Sequence, residues 1–599
     1  MVHATPEGLL AGLSPAQRAA VASDASSLCV VAGAGSGKTT VLTRRVAFRI
    51  LTQSARSEHV LVVTFTRKAA TELRARLERL GVGAGVWAAT FHSAAYSLLR
   101  RHWADEGRLS PAVVADPVPM LRRLLDDLPG AEPAMATTLA TELSWCHACL
   151  VQPDDYAQAA TDAGRSVPHP LEQMSLLMAR YEQEKRRRGV MDLDDLVTVC
   201  AELMEAGGPA AEAMCWRLRH LFVDEFQDVN PSQWRLLEGW RRGRPDLFVV
   251  GDPRQAIYSW NGSDPTLLDR LPALIPGTAV IHLDHNHRCS PQIVSAARSV
   301  LPAAHSGQSV LGDAWSPAGA PDGAPDGPPP RLCGFDDQGA EASGVVRWLR
   351  TTRRPGRPWR QLAVLARTNA RLTPVHEALI RCGIPVRRAG APEAGAISAV
   401  LRVLRSVDRS MPLRAALVDV MAELEAKAAG EGSDLEPTPP PDRAVGRIPP
   451  DASLAARLEA LADEHARHEG RANVGSFLAF LAANRAELDI GGDLTDGVEL
   501  ATFHQAKGLE WPAVGLVGLE AGIMPIAYAT CPAALAEEQR LLYVAFTRAE
   551  TQLWCSWVSR PSPFLELLRT TLTDQATLEP AEARVRVGSL RRRLAALAS

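Results

Sequence analysis

The residues best suited to chemistry in this 599-residue chain form one short run, Ala32-Gly33-Ala34-Gly35-Ser36-Gly37-Lys38-Thr39, followed by Thr40. The run fits the spacing GxxxxGK[ST], with alanine at the first position. Glycines so spaced let backbone N–H groups turn inward around phosphate oxygens, and a helix starting there adds its positive end. Lys38 supplies a compact charge to β- and γ-phosphates, and the Thr39 hydroxyl is placed to ligate Mg²⁺. Such a loop needs a strand before it and a helix after it, and Leu28–Val31 and Val41–Leu51 carry those patterns. It also needs an acid from the same sheet. Leu221–Val223 runs into Asp224-Glu225-Phe226-Gln227-Asp228. Asp224 is then the metal holder, and Glu225 the general base for an attacking water.

These side chains require elements to hold them. Short β-branched runs predict buried strands at Leu28–Val31, Val60–Phe65, Leu221–Val223, Leu247–Val250, Ala279–Leu283, Leu362–Ala366, Val498–Phe503 and Val514–Val517. Amphipathic helical stretches lie between several of them, which argues an α/β fold with parallel sheets. Residues about 100–200 and about 375–495 break the alternation with Ala/Leu/Arg-rich helical spacing. The simplest account is two α/β cores, each with a mostly helical insertion. Residues 313–330 (DAWSPAGAPDGAPDGPPP) and 430–450 are Pro/Gly-rich and read as flexible or extended linkers.

Composition excludes several classes. With 46% hydrophobic and 22% charged residues, the chain is neither wholly disordered nor a small disulfide scaffold. Sixty-five basic against 68 acidic residues give a net charge of −3, so any nucleic-acid contact must come from a local groove. Only Lys38, Lys68, Lys185, Lys427 and Lys507 are lysines. In an arginine-dominated chain a surviving lysine marks a candidate site for a compact charge. The start, MVHATPEGLL, lacks a signal pattern, and no apolar run of about 18 residues is present, so a cytoplasmic protein without a membrane span is expected. The ten cysteines include one CxxC, Cys146 and Cys149, with no second pair, which reads as thiols in a reducing compartment.

DEFQD after a phosphate loop resembles the UvrD/Rep/PcrA group of superfamily 1 DNA helicases, and the remaining signatures follow in order from about residue 13 to about 566. LSPAQRAAV resembles the Q motif, VLVVTFTRKAATELRARL motif Ia, and Ala89-Thr90-Phe91-His92-Ser93 motif Ib. Asp192-Leu193-Asp194-Asp195-Leu196 resembles the acidic stretch before motif II, GDPRQAIYSWNGSD motif III, and Asn286-His287-Arg288-Cys289-Ser290 motif IV. LARTNARL resembles the following strand motif. DGVELATFHQAKGLEWPAVGLVGLEAGIMP resembles motif V and EEQRLLYVAFTRAE motif VI. The resemblance implies two RecA-like domains. These are 1A (1–100 and 196–276) and 2A (277–374 and 496–570), with insertions 1B (101–195) and 2B (375–495), then a tail (571–599). It implies ATP and Mg²⁺ as cofactors, with Gln17 reading adenine, His287 stacking on it, and Glu510 touching the sugar. Gln255 would sense the γ-phosphate, and Arg288 and Arg548 would reach it from the far wall of a cleft. For single-stranded DNA it implies Phe65, Thr66, Phe91, His92, Tyr258, Trp260, Thr502 and His504. Core packing is the competing reading for Phe65 and Phe91. Lys68 and Lys507 would serve DNA phosphates or brace the motifs.

The sequence departs from the pattern at Arg67, Arg254, Asn261 and His287, where the family usually has Asn, an acid, Arg and a stacking Tyr. The 2B region reads as shortened, and the strand-separating hairpin after motif VI as abbreviated or absent. The expected activity is an ATP-dependent 3′–5′ helicase acting on single-stranded and 3′-tailed duplex DNA, with room for an activating protein partner. The alternatives are a translocase that displaces proteins with little unwinding, and a non-motor nucleotide-dependent DNA-binding regulator.

Overall fold

The computed structural model describes residues 5–126, 135–301, 318–388 and 496–569, apart from positions 166, 245 and 355, together with isolated positions between 404 and 478. Most of the expected second insertion, the 430–450 linker and the 571–599 tail lie outside the described residues.

Fourteen strands are described. In chain order they are β1 (Ser27–Ala32), β2 (Val60–Thr64), β3 (Trp87–Thr90), β4 (Ala112–Val114), β5 (Val190–Asp192), β6 (His220–Val223) and β7 (Leu247–Gly251). Then follow β8 (Ala279–Leu283), β9 (Arg331–Phe335), β10 (Leu362–Ala366), β11 (Val386–Arg388), β12 (Val498–Thr502), β13 (Trp511–Val517) and β14 (Ala549–Val558). One sheet runs β3-β2-β6-β7-β1-β8 and a second β11-β12-β10-β13-β14-β9. All pairings in both are parallel. Parallel sheets are covered on both faces, and the strands show it. Cys29, Val31, Leu61 and Val63 face one core, while Leu28, Val30, Val60 and Val62 face another. In the second sheet Ala363, Leu365, Val514 and Leu516 face one core, and Leu362, Val364, Ala513 and Val517 the other.

The first insertion packs the helices Val118–Asp126, Met135–Cys149, Tyr156–Asp162 and Leu171–Arg188 around Leu139, Tyr156, Met178 and Tyr181, with a parallel β4–β5 pair.

Two expectations change, and a third point concerns the segment after motif VI. β8 pairs with β1, Leu28 opposite Ala279, so the first half extends through Leu283 rather than ending at 276. The helix Pro291–Ser299 packs instead on the helix Pro532–Phe546, and Ser290 N–H donates to the Glu550 carbonyl at 2.8 Å. The crossing between halves is therefore residues 284–290. Second, residues 318–330 of the first linker are docked. Gly319 bonds Asp284 and Asn286 at 2.9 and 2.6 Å, and Gly327 N–H donates to Gln292 Oε1 at 2.8 Å. Proline and glycine there permit close backbone approach rather than mobility. Third, Thr551–Trp554 lies inside β14, a sheet strand. Only residues 559–562, with Ser559 at φ +61°, separate it from the helix Pro563–Arg569, leaving no hairpin between them.

Candidate functional site

Parallel topology puts the C-terminal ends of the first sheet on one edge, where α/β proteins place ligand sites. β1 delivers Gly33–Thr40 there, β6 Asp224 and Glu225, β7 Asp252 and Gln255, and β8 the 284–290 crossing.

The phosphate loop is built locally. Gly35 and Gly37 take φ of +68° and +85°, open to residues without a Cβ. Ser36 Oγ donates to the Gly33 carbonyl at 2.8 Å. A Cβ on Gly33 would lie 2.6 Å from that of Ala318, in the docked linker. Ala34 is buried in the core cluster of the second half, together with Tyr543. Lys38, Thr39 and Thr40 form the first turn of the helix Lys38–Leu51. Lys38 Nζ is buried without a hydrogen-bond partner, 3.5 Å from Glu225 Oε2.

Asp224 ends β6, its N–H held by the Val63 carbonyl at 2.9 Å. Burial, then the Glu225 charge, push its carboxyl well above the usual range. For Glu225 burial acts the same way. Lys38 and Lys507, with the hydrogen bond from Gln227, outweigh it and hold that carboxyl ionised. Glu225 sits at φ +51°, a left-handed backbone that non-glycine residues seldom adopt and that recurs at working sites. A buried orphan ammonium beside an uncompensated buried acid is a donor set that a phosphate–metal pair would complete, so these residues fit Mg²⁺ and a nucleotide triphosphate.

Gln227 was not anticipated. Its side chain is fully buried, donates to Glu225 Oε2 at 2.6 Å and accepts from Asp252 N–H at 2.9 Å. Gln255 Nε2 in turn donates to Asp252 Oδ2 at 2.7 Å. The general-base position and the expected γ-phosphate sensor are thus joined by a buried chain of bonds.

The second half completes the site. Glu510 and Arg548 stand side by side ahead of β13 and β14, where Trp511 pairs with Ala549. Arg288 is ion-paired with Glu510. Arg548 is buried and donates to the Val544 and Leu509 carbonyls at 2.9 and 3.0 Å. Burial, then Arg288, lower its pKa to about 10. Lys507 Nζ reaches across to Asp228 Oδ2 at 2.5 Å and the Gln255 carbonyl at 2.7 Å, and lies 5.0 Å from the Tyr258 ring. Of its two expected roles, the structure shows bracing. The scarcity of lysine is the sequence signal that marks it.

Two residues expected at the nucleotide base, Gln17 and His287, both contact the phosphate loop. Both ends of the Gln17 amide are engaged, Oε1 by Ser14 N–H at 3.0 Å and Nε2 by the Ser36 carbonyl at 2.9 Å. Gln17 therefore caps its helix and braces the phosphate loop, with one N–H and one oxygen lone pair left over. His287 is exposed, and its N–H donates to the Gly35 carbonyl at 2.9 Å. Burial and His285 lower its pKa, which keeps a neutral ring available for stacking.

The candidate nucleic-acid residues divide. Phe91 is buried in the first core, stacked on Trp240 at 6.1 Å and 7°, so it is a packing residue and not a platform. Phe65 is half-buried and packs beside it at 5.9 Å. Thr66 is exposed and caps the helix Arg67–Arg79 through Ala69 N–H at 3.1 Å. His92 is partly exposed, with Nε2 3.8 Å from Asp194. Thr502 is buried and anchored to Gln505. Tyr258 and His504 lie 6.3 Å apart across the two halves, and the Trp260 indole is 50% exposed. Burial, then Arg367 and Lys507, lower His504 to about 4, so its ring is neutral and suits stacking rather than phosphate contact.

Apart from Asp194 beside His92, the acidic stretch before motif II faces the insertion. Asp192 caps the helix Leu193–Ala206, and with Asp195 and Glu182 it surrounds the Lys185 ammonium at 2.8–2.9 Å. His147, Glu182, Asp192 and Asp195 have the composition of a metal site, but Lys185 already supplies the cation at their centre. Cys146 packs in the insertion core against Met178 Sδ at 3.9 Å.

A phosphate loop and a buried acid pair, faced by Arg288 of the crossing and Arg548 of the second half, define a P-loop protein built of two α/β halves. Residues 13–275 match the UvrD/REP helicase N-terminal domain, and residues 447–560 the UvrD-like helicase C-terminal domain. The chain is 36% identical to the ATP-dependent DNA helicase UvrD2 of Mycobacterium tuberculosis, covering 93% of this chain and 80% of that one. It is 27% identical to DNA helicase II of Escherichia coli, over 96% and 90% of the two chains. To the ATP-dependent DNA helicase PcrA of Bacillus subtilis it is 27% identical, over 91% and 82%. The chain belongs to the UvrD/REP helicase family.

Proposed function

We propose that the chain is an ATP-dependent DNA helicase that moves 3′ to 5′ along single-stranded DNA and opens 3′-tailed duplexes. The observation that carries this reading is one continuous set of contacts from the nucleotide residues to the aromatic platforms. It runs from Glu225 through Gln227, Asp252 and Gln255 to Lys507, and on to Tyr258 and His504 in both halves. In the family's terms the first-sheet half is 1A with insertion 1B, and the second-sheet half is 2A.

In this reading Lys38 and the loop amides grip the β- and γ-phosphates. Thr39 and Asp224 would hold Mg²⁺, which neutralises phosphate charge when bound. Glu225 orients the attacking water and takes its proton. Arg288 and Arg548 stabilise charge on the transferred group once the halves close. Movement follows if each nucleotide state grips DNA differently in the two halves.

The test is strand separation on a short duplex carrying a 3′ tail, a 5′ tail or none, with ATP turnover recorded in the same tube. Opening only with the 3′ tail is expected. The direct run from β14 into the helix Pro563–Arg569 favours one second reading, a translocase that clears proteins from DNA. Brisk DNA-stimulated turnover without opening would select it. Absence of turnover with single-stranded DNA present would refute both and leave a non-motor regulator.

A further inference from the structure

We propose that Arg165, in the helical insertion, is a positioning residue that holds Trp260 for stacking on a DNA base and so sets affinity for single-stranded DNA. The inference rests on the DNA-motor reading above. Trp260 sits in a three-residue 3-10 turn, Ser259–Asn261, with its indole half exposed. Turns this short have little rigidity of their own. An exposed ring on a loose turn would have to be ordered each time a base arrives, which weakens binding.

The turn is fixed from outside. Arg165 Nη1 donates to the Trp260 carbonyl at 3.0 Å. Gly262, at φ +88°, lies so close to the insertion that a Cβ there would stand 2.8 Å from the Ala148 Cβ and 3.0 Å from Cys149 Sγ. From the second half, Glu537 accepts the Ser259 N–H at 3.2 Å. Arg165 is itself locked. It donates from Nε and Nη2 to Glu142 at 2.8 and 2.6 Å, and its guanidinium lies 4.4 Å from the Trp145 ring. Glu142 is 4% exposed and also accepts the Tyr156 hydroxyl at 2.9 Å. Only a planar fork can bind the carboxylate with one edge and the Trp260 carbonyl with the remaining nitrogen. A lysine would keep the cation and lose that geometry.

The experiment follows the concentration of an oligo(dT) strand that half-saturates DNA-stimulated ATP turnover in the full chain, with fluorescence anisotropy of the same strand alongside. Arg165→Lys is expected to raise half-saturation about five- to tenfold, part of what a stacked base contributes. DNA-free turnover, turnover at saturating DNA and the melting midpoint are expected to stay unchanged. In a Trp260→Ala background, Arg165→Lys should add nothing. The pair Arg165→Ala with Glu142→Gln removes both charges together and should reproduce the shift. If Trp260→Ala itself leaves half-saturation unchanged, the stacking-platform reading fails. If Trp260→Ala weakens binding but Arg165→Lys does not, the positioning inference alone is overturned. It is equally overturned if the Arg165→Lys effect persists without Trp260, or falls on DNA-free turnover instead.

Discussion

Replacing Lys507 with Met should collapse ATP turnover mainly through the acid it leaves behind. Lys507 crosses from the second half to Asp228 and the Gln255 carbonyl, and the Lys507 and Asp228 side chains are 8% and 3% exposed. Without the ammonium, Asp228 must stay buried and unpaired or take a proton. Protonation sets a ceiling. At pH 7, neutralising a carboxyl whose ordinary pKa is near 3.9 costs about 4 kcal/mol, at 1.36 kcal/mol per unit. Breaking a buried charge pair at an interface costs about 2–5 kcal/mol, the same range. If that cost opposes closure of the two halves, kcat/KM for ATP falls about 30- to 1000-fold. Asp228 already sits at about 6, raised by burial, pulled back by Lys507 and raised again by Glu225. In the variant it rises further. A carboxyl raised in the closed form favours closure at low pH and loses that contribution as pH climbs through its folded pKa. The deficit relative to the parent should therefore narrow from pH 8 to pH 6, by up to about tenfold per unit. Adding Asp228→Asn to Lys507→Met should recover part of the loss. Steady-state turnover of parent, single and double variants across that range decides the matter. A pH-independent deficit that Asp228→Asn does not relieve would refute the argument and mean that Lys507 acts on the nucleotide itself.

Three further outcomes are expected. Lys38→Ala should abolish turnover while sparing most single-stranded DNA binding, and normal hydrolysis by that variant would remove the phosphate-loop assignment. Arg548→Ala should cut turnover about 10³-fold with the KM for ATP nearly intact. Arg548→Lys should not rescue it, because an ammonium cannot replace the fork on Val544 and Leu509. A rate within tenfold of the parent would place Arg548 outside the reaction. Lys185→Met leaves Asp192, Asp195 and Glu182 without their cation, at about 3–5 kcal/mol for a broken buried pair. Hydrogen exchange in the helices Leu171–Arg188 and Leu193–Ala206 should then quicken about 10²- to 10³-fold, and unchanged exchange would contradict a supporting role.

What was legible in the sequence was local. A phosphate loop is eight consecutive residues between a strand and a helix, so its chemistry can be read without tertiary structure. Strands buried on both faces, such as Leu362–Ala366, are continuous apolar runs, and β10 occupies those five residues. β14 was missed because it begins Ala549-Glu550-Thr551-Gln552, polar residues at the cleft end of a strand whose apolar part comes only at Leu553–Trp554. Phe91 resembled a platform because nothing in its neighbourhood announces Trp240, which stacks on it from a distant helix. The brace that Gln17 lends to Ser36 could not be read, because it is a long-range bond. Lys185 lay outside every motif, yet the same rarity that marked Lys38 and Lys507 applied to it.

The least legible property is the coupling between the halves, and it bears most on function. Residues 284–290 join two α/β cores, and they also touch the chemistry at both ends. Asn286 accepts the Arg288 and Cys289 amides at 2.9 and 2.8 Å, which fixes the backbone that presents Arg288. One residue earlier in the chain than Arg288, His287 N–H rests on the Gly35 carbonyl of the phosphate loop. Tyr543, on the helix that leads into Arg548, is buried in one core cluster with Ala34 of that same loop. The two halves are thus tied to the phosphate loop at the Gly35 carbonyl and through the burial of Ala34, and to Asp228 through Lys507. The motor proposed above needs that property: the elements that would respond to the nucleotide are also those that hold the two halves together.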